Sequence, residues 1–308
     1  MNRIFILFSC ILTITFSCTK EKTNYEAERS KEIPSETTFS TLFKSNLEGY
    51  EIEILSIQAK LQQGYNEIRV KIKSNQTHQP IQADAVHMLP VLTQAANRFK
   101  SAPHSKELTF NSTDKSHDGY VVFTQLSTDD QFWELLLQIR VGQQIIPLKQ
   151  RIKVDAQSNK NLNLVQFTGI DQEDYTIALI APRAPNVAEN RLIAGIYKRD
   201  KDQEISNADV SSLLISTYNR VQSYRLQLDP RMPEPSMGNH SSPNNRDLEQ
   251  QENGWYEGVV NYTMTGNWTL NFILLNSAGR IIKGTPVPKD FTPGVAGIKS
   301  ELFIDILF

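Results

Sequence analysis

The residues in this chain with the clearest capacity for chemistry are Met232, Met237 and His240. They share one short stretch, Asp229-Pro-Arg-Met-Pro-Glu-Pro-Ser-Met-Gly-Asn-His-Ser-Ser-Pro. The whole chain has five methionines, one of them Met1, and five histidines, so this grouping is a concentration of both types. Soft thioether sulfur combined with imidazole suits Cu(I). Outside the cytoplasm thiols oxidise, which leaves methionine as the more durable soft ligand. Pro233 and Pro235 limit the backbone freedom lost on ordering the loop. Gly238 permits a tight bend between Met237 and His240. Two neutral thioethers and a neutral imidazole would form a three-coordinate site that prefers Cu(I) to Zn(II), which favours imidazole, thiolate and carboxylate. The same residues have a second reading, as a rigid cap over one end of the fold with buried methionines and a hydrogen-bonded His240.

A weaker candidate metal set is His87, Met88 and His104, which lacks the second methionine. Its competing reading is a structural copy that has lost the site. His78 and His117 lie in polar surroundings and read as solvated. Met264 reads as a core residue on a strand with Trp268, with a further thioether ligand as its alternative. Enzymatic motifs are missing: there is no His-Glu-x-x-His, Gly-x-Ser-x-Gly or phosphate-cradling glycine loop. Ser241 and Ser242 follow His240, but sequence adjacency does not make a nucleophile and base. The chain therefore reads as a non-enzyme with no catalytic residues. Lys and Arg number 32 against 34 Asp and Glu, and no basic stripe supports nucleic-acid binding.

The elements that position these residues belong to a divergent internal repeat. The first copy runs from Tyr50-Glu-Ile-Glu-Ile-Leu55 through Asn66-Glu-Ile-Arg-Val-Lys-Ile72 to Asp118-Gly-Tyr-Val-Val-Phe123 and Trp133. The second runs from Tyr175-Thr-Ile-Ala-Leu-Ile180 through Asn190-Arg-Leu-Ile-Ala-Gly-Ile196 to Asn253-Gly-Trp-Tyr-Glu-Gly-Val259 and Trp268. The same spacing separates Gly119 from Trp133 and Gly254 from Trp268, and His104-Ser105 and His240-Ser241 precede these glycines at nearly equal distances. Ile68, Val70 and Ile72 alternate with Arg69 and Lys71, and Leu302, Ile304 and Ile306 share one face near the chain's end. Period two with one apolar face indicates half-buried antiparallel strands. Asp118-Gly119 and Asn253-Gly254 read as turns ahead of strands. The expected fold class is all-β: two immunoglobulin-like β-sandwich domains in tandem, with Trp133 and Trp268 between the sheets. Expected boundaries are a first sandwich at 42–154, a linker and domain entry at 155–173, and a second sandwich at 174–308. The proline-bearing stretch 285–297 reads as an extended loop before the last strand.

The stretch Met-Pro-Glu-Pro-Ser-Met-Gly-Asn-His-Ser-Ser-Pro-Asn-Asn, followed by Gly-Trp-Tyr-Glu-Gly-Val-Val-Asn-Tyr-Thr-Met-Thr-Gly-Asn-Trp, resembles the YtkA-like/FixH-like family of extracytoplasmic β-sandwich domains. The resemblance is strongest over about 229–276. It extends through the rest of the second copy and, in the first copy, is carried by the strands more than by the loop. It implies a role in copper handling and cytochrome oxidase assembly.

The first residues explain how such a protein would be placed. Met1-Asn2-Arg3 is a short positive region, Ile4 to Phe16 is apolar, and Ser17-Cys18 follows. This is the layout of a secretory signal, too short to span a bilayer, which takes roughly 20 residues. Thr15-Phe16-Ser17-Cys18 resembles a lipobox, with Thr15 and Phe16 departing from its usual Leu and small residue. The expectation is a signal peptide at 1–17, a lipidated Cys18 and a polar tether over 18–41. The only other cysteine is Cys10, inside the signal. The expected setting is the cell envelope, on the periplasmic side or the outer membrane. The expected partners are membrane lipid through acylated Cys18 and a copper-dependent or other envelope protein. Two functions stand against each other here: a lipid-anchored Cu(I) chaperone or buffer, and a non-metal module presenting sandwich loops to an envelope partner.

Overall fold

In the computed structural model, residues 38–157, 160–213, 215 and 217–307 are described. The signal, Cys18 and nearly all of the expected tether lie outside them. The first strands obey the alternation of their sequence. β1 (Phe39–Leu47), β2 (Tyr50–Ile57) and β3 (Gly64–Ser74) form antiparallel hairpins, and in β3 Ile68, Val70 and Ile72 are buried while Arg69 and Lys71 are not. β4 (Ala85–Gln94), β5 (Arg98–Ser101), β6 (Thr109–Asn111), β7 (Ser116–Phe123), β8 (Gln131–Val141) and β9 (Gln144–Ile152) complete the first copy. Its two sheets have the orders β1-β2-β3-β7-β6 and β5-β4-β8-β9. Ile52, Ile68, Val121 and Phe123 from one face Met88, Leu92, Trp133 and Leu135 from the other in one core.

The second copy repeats this plan with β10 (Leu164–Thr168), β11 (Asp174–Ala181), β12 (Glu189–Arg199), β13 (Tyr218–Arg220), β14 (Arg225–Met232), β15 (His240–Ser241), β16 (Arg246–Gln250), β17 (Tyr256–Asn261), β18 (Asn267–Leu275), β19 (Ile281–Lys283) and β20 (Leu302–Leu307). Here the two layers join, because β16 pairs with both β17 and β14. The Ile170 amide also donates to Ile282 O across the opposite seam (3.0 Å), so the sheet is nearly closed. The fold is all-β and antiparallel within its sheets, and the helical elements among the described residues are short 3-10 turns.

Registers show which landmarks of the repeat are equivalent. Trp133 pairs with Ile152 and Trp268 with Ile306, and both indoles are fully buried. Asn66 takes an amide hydrogen bond from Gln62 and donates to the carbonyls of Gln62 and Gly64; Asn190 does the same with Asn186 and Ala188. Asn66 faces Val121 and Asn190 faces Val260, so Gly119, opposite Ile68, corresponds to Gly258, opposite Leu192. The match of Gly119 to Gly254 is therefore corrected. Gly119 lies within β7, whereas Gly254 is in the turn between β16 and β17 with φ +79°. The equal glycine–tryptophan spacing arose from loops of unequal length. His104 and His240 are not equivalent either. His240 pairs with Met232 on β14, whereas His104 bridges Val121 beside β7.

Two strands fall in stretches read as polar connectors: β1 begins at Phe39, and β10 lies within 155–173 and pairs with β11. Both are edge strands with no fully buried residue. The described residues form one compact unit, and the two sandwiches share apolar contacts. Tyr120 and Val122, on the outer face of β7, pack with Ala178 and Tyr197. Leu89, Val91 and Leu136 pack with Ile205 and Leu213. Arg220 joins them, donating to the Tyr120 hydroxyl (3.2 and 3.1 Å) and lying 3.7 Å over the Trp255 ring.

Candidate functional site

The proline at residue 233 ends β14, and the chain turns back through a 3-10 turn, Pro235–Met237, with Gly238 in the left-handed region at φ +63°. It returns as β15, which sets His240 directly opposite Met232. Directly opposed residues of an antiparallel pair project to the same face, so the imidazole and this thioether are neighbours. Met232 is 2% exposed and belongs to the core. Its methyl sits against the β17–β18 loop, where a Cβ on Gly266 would stand 2.9 Å from Met232 Cε. Met237 and Met264 are half-buried and pack against the same core. Met264 lies in the β17–β18 loop rather than on a strand, and its carbonyl accepts from Trp268 Nε1 (3.0 Å). His240 is half-buried: its ring centroid is 6.2 Å from the Trp268 ring, and its Nε2 lies 2.9 Å from Thr263 Oγ1.

The loop is held from outside by the proline-bearing segment. In the first copy β9 is continuous along β8. In the second, the corresponding strand is split into β19 and β20, with Lys283 opposite Leu274 and Leu302 opposite Phe272. The residues between them leave the sheet. Thr285 N bonds Ser300 Oγ (2.9 Å) at the base of this excursion. Asn239 Nδ2 donates to Pro288 O (3.2 Å), and the Gly297 amide donates to Pro233 O (2.7 Å). Phe291 lies over Gly238, with its Cζ 3.4 Å from where a Cβ would stand. Sequence reasoning identified the loop but not that it is an insertion into one copy.

The first-copy candidates are not brought together in the same way. His87 and Met88 are consecutive on β4 and so project to opposite faces; Met88 is fully buried in the core while His87 is half-buried. His104 instead bonds its own chain, with Nδ1 2.7 Å from Ala102 O and Nε2 enclosed. Burial pushes this imidazole down to about 4 from 6.5, with Lys106 adding to the effect and hydrogen bonding opposing it. His117 is also corrected. It is 2% exposed on β7, and burial lowers it below the ordinary imidazole range.

His104 therefore couples stability to pH. Below 6.5 the unfolded chain takes up a proton that the folded ring refuses until about 4. Stability contributed by the neutral ring is present above the unfolded value and is lost as pH falls through this window. The loss approaches about 3 kcal/mol at the acid end, less whatever the ring's remaining exposure restores. Urea unfolding of wild type and His104→Gln between pH 7 and 4 measures it. Parallel pH profiles would remove His104 as the cause.

Among the described residues, no three of His, Cys, Asp and Glu gather as a metal cluster, so a metal reading rests on the methionines. A separate cleft of about 620 Å³ opens between the sandwiches, lined by Arg98, Lys100 and Arg199 together with Asp174 and Glu204. It contains none of the candidate metal-binding residues named from sequence, and its charged components are too far apart in the chain to form a motif.

No family model matches the chain. No curated protein matches it either. Among solved structures it is similar to a DUF4785 family protein from Legionella pneumophila subsp. pneumophila str. Philadelphia 1, at 10% identity and a TM-score of 0.24. The match covers 76% of this chain and 55% of that one, so the chain spans about half the length of the protein it matches.

Proposed function

We propose that this chain is an extracytoplasmic Cu(I)-binding protein, lipid-anchored through Cys18, with its metal held at the β14–β15 end of the second sandwich. The observation that carries this reading is the register pair Met232–His240, which sets a thioether and an imidazole side by side on one face. Met237 packs against the same core a short turn away. The donor set fits a soft ion. The contact between His240 Nε2 and Thr263 Oγ1 resembles the second interaction that orients a ligating histidine, leaving Nδ1 for the metal. A chaperone or buffer serving a copper-dependent envelope protein is the corresponding role.

A second reading is favoured by a specific observation. Met232 is 2% exposed, and the loop is clamped through Asn239 and Gly297, as a rigid cap would be. On that reading the chain is a non-metal module that presents sandwich loops to an envelope protein partner.

Competition for Cu(I) against a chromophoric chelator separates the two. Met237→Leu and His240→Ala are each expected to weaken binding by at least about tenfold, as is Thr263→Val through loss of ring orientation. Unchanged affinity in Met237→Leu and His240→Ala sinks the site. A large stability loss in Met237→Leu with no effect on copper supports the cap.

A further inference from the structure

We propose that the tip of the excursion between β19 and β20 is a membrane-contact loop that seats in the interfacial layer of a lipid bilayer. The comparison between copies isolates it, since the first copy runs straight through the same position as β9. The base and middle of the excursion are fastened by Thr285–Ser300, Pro288–Asn239 and Gly297–Pro233, yet every residue from 288 to 296 is exposed.

The excursion exposes three large apolar side chains, among polar ones that include Lys289, Asp290 and Thr292. Phe291 is 43% exposed, Val295 55% and Ile298 66%. Other exposed apolar side chains, such as Ile145 and Val187, are scattered singly over different elements, which is ordinary for a protein surface. Three on one loop are not. Pro286, Pro288 and Pro293 have no N–H. The Val295 amide bonds Thr292 O (3.0 Å), closing a turn with Gly294 at φ +79°. Polar backbone is what makes irregular chain costly in hydrocarbon, so the loop seats at the headgroup level, where water still reaches its remaining amides. Lys289 is exposed beside the apolar group, where its stem can lie along lipid with its charge at the headgroups.

The choice of a bilayer as occupant rests on the anchored reading. From Cys18 to Phe39 the extended chain reaches at most roughly 75 Å. An acylated Cys18 would therefore keep the sandwiches close to the membrane throughout.

The test uses the compact unit Pro34–Phe308, which carries both cores and no anchor, so this proposal and the anchoring can fail separately. Sedimentation with vesicles of phosphatidylethanolamine and phosphatidylglycerol should show binding. A Val295→Ser/Ile298→Ser double variant should weaken it by at least about tenfold, while leaving Phe291 on Gly238 and the unfolding transition in place. An Ile145→Ser/Val187→Ser double variant should bind as wild type does. In Val295→Trp, the new emission should be quenched by brominated acyl chains. A wild-type unit that stays in the supernatant overturns the proposal. So do equal losses in the two double variants, or a residue-295 tryptophan that brominated lipid does not quench.

Discussion

Replacing Trp268 with alanine is expected to lower the unfolding free energy by about 3–5 kcal/mol, the usual cost of emptying a large aromatic site in a core. The indole is fully buried on β18 and is 5.4 Å from the Tyr262 ring. Its Nε1 donates to Met264 O, so the β17–β18 loop loses an attachment along with the ring. Trp133→Ala is expected to cost a similar amount, for matching reasons. Trp133 is fully buried on β8, 5.1 Å from Phe123, and donates to Gln125 O. Against a typical total of 5–15 kcal/mol, either loss is severe. The variants differ in one further respect. Trp268→Ala removes the ring beside His240 and should also weaken Cu(I) binding, whereas Trp133→Ala should leave the metal site intact. Urea titration followed by circular dichroism measures stability. A cost below about 1 kcal/mol in both would contradict the packing described.

Cys18→Ala is expected to release the protein from the membrane fraction or block its maturation. Of the two cysteines, only Cys18 follows the apolar stretch. Acyl chains contribute about 0.8 kcal/mol per buried methylene, so a multiply acylated cysteine holds firmly and its loss is not compensated by a small apolar loop. Membrane fractionation with a gel-shift assay for processing tests this. A variant that is correctly processed and still sediments with the membrane would contradict lipid anchoring at Cys18.

What could be read from the sequence follows from where burial is one-sided. β3 alternates because one face meets the core and the other meets solvent, so its period of two is plain. Trp133 and Trp268 marked equivalent positions because the core tolerates little else there. Val121-Val122-Phe123 obscured its strand period because β7 is buried on both faces, inside the first sandwich and against the second. β1 and β10 were hidden for the opposite reason, since edge strands with no fully buried residue impose little pattern. Gly119 and His104 were misaligned because spacing along the chain counts loop residues that the sheet does not. At the candidate site, the types of Met232, Met237 and His240 were evident. The facing of His240 to Met232 depended on a hairpin register, and Thr263 is remote in sequence.

The place where the described fold meets its N-terminal segment has a mechanical consequence. β1 pairs only with β2, in antiparallel register from Phe39↔Ile57 to Leu47↔Tyr50. Tension on the preceding residues would load the Phe39 end first and open the ladder one rung at a time, as a zipper opens. Phe39, resting on the Arg69 guanidinium at 3.8 Å, is the first latch. No side chain of β1 is fully buried, but Leu42, Phe43 and Leu47 pack against the first core, so peeling gives up those contacts rung by rung while the fully buried side chains stay in place. The strand would serve as a yielding link that absorbs a pull before the body of the protein bears any load.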